Sequence, residues 1–159
     1  MPTSRYQTRS SRDIGQNFMA DNLSLIGIWR LRSFCLEDSQ TGLRYYPYGK
    51  EPKGFVTFHE SGRMIAVITP SERMAPVSDQ EKAAAFGLLI AYSGRWRLEP
   101  PDQWITAVDV AWFEPWVGTD QRRTYRFDGK DRLEVISAPV TIPAYGDTPV
   151  VGLLSWTRD

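Results

Sequence analysis

From residue 25 onward the chain is a succession of short runs of alternating apolar and polar residues, each closed by turn-forming residues. The runs fall at 25–36, 43–46, 54–59, 63–69, 93–98, 104–113, 122–127, 132–137 and 150–157. Between them stand Glu60-Ser61-Gly62, Pro100-Pro101-Asp102 and Asp128-Gly129-Lys130, all suited to tight turns. Strand side chains point alternately to two faces, so each run offers one apolar face to a common interior. Few connections are long enough to carry a crossover helix, which disfavours a parallel sheet and predicts an all-β antiparallel barrel or sandwich of about 8–10 strands.

One segment departs from this rhythm. Ser78-Asp79-Gln80-Glu81 is a capping box, in which the Ser hydroxyl and the Glu carboxylate satisfy free amides at a helix start. Ala83, Phe86, Leu89 and Ile90 follow at helical spacing, with Gly94 beyond, so the pattern predicts a helix over 79–91 that serves as a lid for one barrel mouth. Residues 1–22 lack apolar periodicity and are rich in Ser, Thr and Arg. They are expected to form an extension, wrapping the surface through Tyr6, Ile14 and Phe18, ahead of a barrel domain at 23–159.

Composition narrows the function classes. The 159 residues suit one domain, and the six Trp, seven Tyr and seven Phe need either a large core or a cavity to line. Lys plus Arg balances Asp plus Glu at 19 each, so nothing draws the molecule to a polyanion and nucleic acid is not an expected partner. A single cysteine, Cys35, and a single histidine, His59, leave no disulfide and no cysteine- or histidine-rich metal site. No stretch has the length of a membrane span and the first residues do not read as a secretory signal, which favours a reducing, cytoplasmic setting.

Several longer stretches occur together and in order: Gly27-Ile28-Trp29-Arg30-Leu31, Tyr46-Pro47-Tyr48-Gly49, Pro52-Lys53-Gly54, Gly62-Arg63-Met64, Glu81 to Phe86, Ile90-Ala91-Tyr92 and Trp116-Val117-Gly118-Thr119-Asp120-Gln121. Through them the chain resembles the bacterial and fungal lipocalin-like domain family over about 25–158. The resemblance implies a calyx-shaped barrel around a small apolar ligand, with Trp29 of the Gly-x-Trp pattern plugging the closed end and Arg158 stacked on its indole. For such a cavity Tyr46, Phe58, Met64, Phe86, Tyr92, Trp112 and Trp116 are expected as ligand-binding residues. Lipocalin-like barrels include carriers as well as cofactor-free cyclases and isomerases of natural-product pathways. Family members often place one or two histidines just before an acid on the long strand; here those positions are Thr106 and Ala107, leaving Asp109 alone.

Asp109 is the most informative single residue, because a carboxylate is unexpected within Trp104 to Trp112. Alternation sets it on one face with Ala107, Ala111 and Phe113, either paired on the outer wall or facing the cavity. In the second case Arg123 on the next strand is its expected partner, and Tyr125 a second donor to a ligand. His59, beside turn chemistry, is expected to be solvated. Cys35, alternating with Trp29, Leu31 and Ser33, is expected to be a buried core thiol.

Three functions therefore stand at this point. The first is binding of a small, mainly apolar, aromatic or polyketide-like molecule. The second is a cofactor-independent isomerase, cyclase or dehydratase using Asp109, Tyr125 and Arg123. The third is a structural protein with a filled barrel. No cofactor, metal, nucleic acid or membrane is expected as partner, and a homodimer is left open.

Overall fold

A computed structural model describes residues 24–159, so the expected extension at 1–22 lies outside the described residues. The alternating runs become nine antiparallel strands: β1 (Gly27–Asp38), β2 (Arg44–Tyr45), β3 (Lys53–Phe58), β4 (Arg63–Thr69), β5 (Ile90–Glu99), β6 (Gln103–Ala111), β7 (Asp120–Phe127), β8 (Arg132–Ser137) and β9 (Val150–Arg158). They form one sheet in the order β2-β1-β3-β4-β5-β6-β7-β8-β9, and β9 returns to pair with β1. That seam runs from Trp29 opposite Arg158 to Asp38 opposite Val150 and closes an eight-stranded barrel, with two-residue β2 alongside the end of β1.

Two bulges decide which side chains face inward. In β1 the register shifts between Leu31 and Ser33, so Trp29 and Leu31 are buried before the shift and Phe34, Leu36 and Asp38 after it. Cys35 is consequently turned out of the core cluster, contrary to its expected alternation with Trp29 and Leu31. It is still buried, which pushes its thiol up. In β6, Val108 pairs with Gly94 and Val110 with Ser93, leaving Asp109 as the extra residue. Gly94 is required there: a Cβ would lie 2.1 Å from the Ala107 carbonyl oxygen.

The closed end is an aromatic floor. Trp29 contacts Phe127 at 6.1 Å between centroids, Phe127 contacts Tyr125 at 5.7 Å, Tyr125 contacts Trp104 at 5.8 Å and Trp104 contacts Phe58 at 5.1 Å. Below it, the Arg158 guanidinium lies 4.2 Å from the centroid of the Trp29 ring and donates to the Ile26 and Ser24 carbonyls. The Trp29 indole donates to the Leu25 carbonyl at 2.9 Å, so the buried plug leaves no polar atom of its own unpaired.

The helix α1 (Asp79–Gly87) begins at Ser78 with both arms of the capping box formed. It is shorter than the predicted 79–91, because Ile90 and Ala91 are taken into β5, opposite Ile68 and Val67 of β4. Sheet hydrogen bonding there outweighs helical spacing. None of its residues is buried, so α1 does not pack as a lid through an apolar face, and Phe86 is 51% exposed. Only its end, at Gly87 and Leu88, reaches the barrel mouth.

Candidate functional site

Above the floor the barrel is hollow, with a cavity of about 700 Å³, within the range of small-molecule sites. The filled-barrel expectation is therefore overturned. Each wall follows from strand alternation: Phe34 and Leu36 of β1, Val56 of β3, Met64, Ala66 and Ile68 of β4, Tyr92 of β5, Trp104 of β6, Arg123 of β7, Val135 and Ser137 of β8, and Leu154 and Trp156 of β9 all line it. The loops around Pro47-Tyr48 and 138–145 complete the mouth.

The wall is apolar with a few polar groups at set positions. Tyr48 stacks on Phe34 at 4.7 Å between centroids, and burial, with Tyr145 nearby, pushes its phenol up to about 12. Trp104 and Trp156 are both 3% exposed, and their indole N–H groups find no partner among the described residues. Met64 is fully buried and accepts a contact from the Thr106 hydroxyl at 3.7 Å. On the far wall Tyr92, Trp116 and Trp112 form a run of edge-to-face contacts at 5.2 and 5.0 Å.

The cavity takes in Met64, Tyr92, Trp116 and Arg123 among the residues singled out from the sequence, and leaves the rest outside. Tyr46 is 56% exposed on the rim, where Pro47 turns the chain so that Tyr48, two residues on, is buried instead. Phe58 and Tyr125 face inward, but at floor depth, beneath the cavity. Phe86 lies on the exposed face of α1, and Trp112 packs behind Trp116 rather than against the space. Sequence reasoning missed Phe34, hidden by the β1 bulge, and Trp156, which the strict alternation of Val150, Gly152, Leu154 and Trp156 in β9 could have found.

Asp109 does not meet Arg123. Its face of β6 is the outer one, where Nη1 of Arg63 approaches Oδ1 at 2.6 Å and Oδ2 at 2.8 Å, and this hydrogen bond holds the carboxyl below its ordinary range. Arg123 lies on the inner face of β7, as alternation with Gln121, Tyr125 and Phe127 requires. His59 is exposed in the hairpin turn, with Nδ1 2.9 Å from the Ser61 hydroxyl. Among the described residues no group of three or more His, Cys, Asp or Glu side chains is placed to hold a metal ion, and no helix is long and apolar enough to cross a membrane.

A closed eight-stranded antiparallel barrel with a plugged floor and a hollow upper half defines a calyx that receives small molecules. The family model described as the lipocalin-like domain matches residues 26–159, and the chain belongs to that family. A search of curated proteins gave no match.

Proposed function

We propose that the barrel binds one small, mainly apolar molecule, aromatic or polyketide-like, in the cavity above the Trp104 floor. The observation that carries this reading is the coincidence of a space of about 700 Å³ with a wall of aliphatic and aromatic side chains from seven of the eight barrel strands. A molecule filling that space gains by leaving water, and the ring edges and faces of Phe34, Tyr92 and Trp116 favour flat, unsaturated ligands. The lone, buried Cys35 accords with a cytoplasmic setting.

A cofactor-free isomerase, cyclase or dehydratase in the same cavity has less support. It needs a proton-transfer group at the ligand, and Asp109 lies on the outer wall while Tyr125 lies under the floor. Titration with 1-pyrenebutanol, followed by pyrene emission, tests the binding reading. Saturable one-to-one binding is expected for the natural chain and its loss for Ala66→Trp, which fills the cavity from the buried wall of β4. No saturable binding, or equal binding by the Ala66→Trp variant, would overturn it.

A further inference from the structure

We infer that the cavity selects ligands ending in a carboxylate, and that Arg123 is the residue that holds it. This rests on the binding reading above and adds the chemical class of the ligand. Arg123 lies in an inward row that crosses the sheet: it pairs with Trp104 of β6 on one side and with Ser137 of β8 on the other. Arg123 is half-buried and lines the cavity beside Gln121 and Arg122; its Nη1 donates to the Arg122 carbonyl at 2.7 Å and its Nη2 reaches Gln121 Oε1 at 3.5 Å. A guanidinium has five N–H donors, so most of the fork remains open.

No carboxylate answers that charge. Among the described residues no ion pair includes Arg123. Two carboxylates of this region are engaged elsewhere: Asp120, which lines the same cavity, pairs with Arg97 at 2.9 Å, and Glu99 pairs with Arg122. An anion lodged in the apolar cavity would find its countercharge in this half-buried cation. The other inward polar groups point the same way. Ser137 is satisfied, accepting from the Gly152 amide and donating to the Ala138 carbonyl. The indole N–H groups of Trp104 and Trp156 are buried and have no partner among the described residues, and Trp104 is the direct cross-strand neighbour of Arg123. The cationic fork and the two indole N–H groups are donors, and the Tyr48 and Tyr92 hydroxyls that also line the cavity can donate as well. A carboxylate fits the fork in two parallel hydrogen bonds, and an apolar body with an acceptor oxygen meets the indoles.

The test compares two probes of one skeleton, 1-pyrenebutanoic acid and 1-pyrenebutanol, near neutral pH. The natural chain is expected to bind the acid at least about tenfold more tightly, the scale of a charge-assisted hydrogen bond. Arg123→Met is expected to weaken the acid at least about tenfold more than the alcohol, Arg123→Lys to restore part of the preference, and Arg126→Met, at an exposed position of the same strand, to leave it intact. On the natural chain alone, lowering the pH until the probe's own carboxyl is protonated should abolish the preference, which needs no variant to fold. Equal affinity for acid and alcohol, or a preference that survives Arg123→Met or probe protonation, would overturn the role of Arg123 and leave the apolar cavity standing. If neither probe binds, the cavity reading falls with it.

Discussion

Arg63 grips both oxygens of Asp109 from the neighbouring outer wall, reaching across from β4 to β6, and the same Nη1 also meets the Ser93 hydroxyl on β5, at 3.2 Å. Three strands are thus tied together on the outer wall by residues that do not line the cavity. Asp109→Asn should leave probe affinity within about twofold, since the pair is exposed and does not border the cavity. The Asp109 carboxyl is held low in the folded state, so its contribution to stability is present above the ordinary carboxylate range and is lost as the pH falls through its folded value. Urea unfolding of the natural chain and Asp109→Asn should therefore converge in acid. A tenfold loss of probe binding in Asp109→Asn would return the residue to the site.

A second acid test concerns Asp38, a buried carboxylate at the end of β1. It accepts from the Thr148 hydroxyl and from the Gln40 and Thr41 amides, both at 2.8 Å, and the Thr148 bond leads in lowering its carboxyl to about 2. The folded value lies below the unfolded one, so the stabilisation is complete above about pH 4 and disappears toward pH 2. Asp38→Asn should flatten this part of the acid dependence in urea midpoints, and loosen the 38–42 turn and the strand end that Thr148 joins to it. An unchanged acid slope would place the titration elsewhere.

The plug gives a prediction in coupling. Trp29→Leu and Arg158→Met should each destabilise the barrel, and a double-mutant cycle in urea should show about 0.5–2 kcal/mol of coupling between the cation and the indole it stacks on. Additive losses would mean that Arg158 acts through the Ile26 and Ser24 carbonyls alone.

Gly94 tests the bulge. Its missing Cβ would collide with the backbone at Ala107 and with the Thr106 methyl, atoms that cannot swing aside. Gly94→Ala should therefore cost about 3 kcal/mol, whereas Gly118→Ala meets open space and is strained only by its positive φ of 81°. Comparable thermal midpoints for the two variants would mean that β5 and β6 relax around the bulge more freely than this contact allows.

Much of this was legible in the residues themselves. The runs at 63–69 and 132–137 coincide with β4 and β8, and alternation alone set Arg123 on the face of Gln121, Tyr125 and Phe127. The misplacements share a physical cause, in that local patterns do not carry non-local geometry. A bulge reverses the parity of every residue after it, which hid Phe34 and misassigned Cys35. Ile90 and Ala91 keep helical spacing yet gain more by pairing with β4. Alternation also tells inside from outside but not depth along the axis, so Phe58 and Tyr125, both expected at the ligand, form the floor instead. The partner of Asp109, 46 positions away, was equally beyond any window.

The seam between β1 and β9 has a kinetic consequence. Every other pairing in the sheet joins strands close in sequence, whereas this one brings Trp29 to Arg158 and must bear the loop-closure entropy of nearly the whole domain. The meander from β3 to β8 can therefore assemble first, with the seam joining late. Until it does, β1 and β9 each present an unpaired hydrogen-bonding edge able to capture the opposite strand of another molecule. Refolding at high protein concentration should accordingly yield exchanged dimers and aggregates built through these two strands, while dilute refolding yields the closed monomeric barrel.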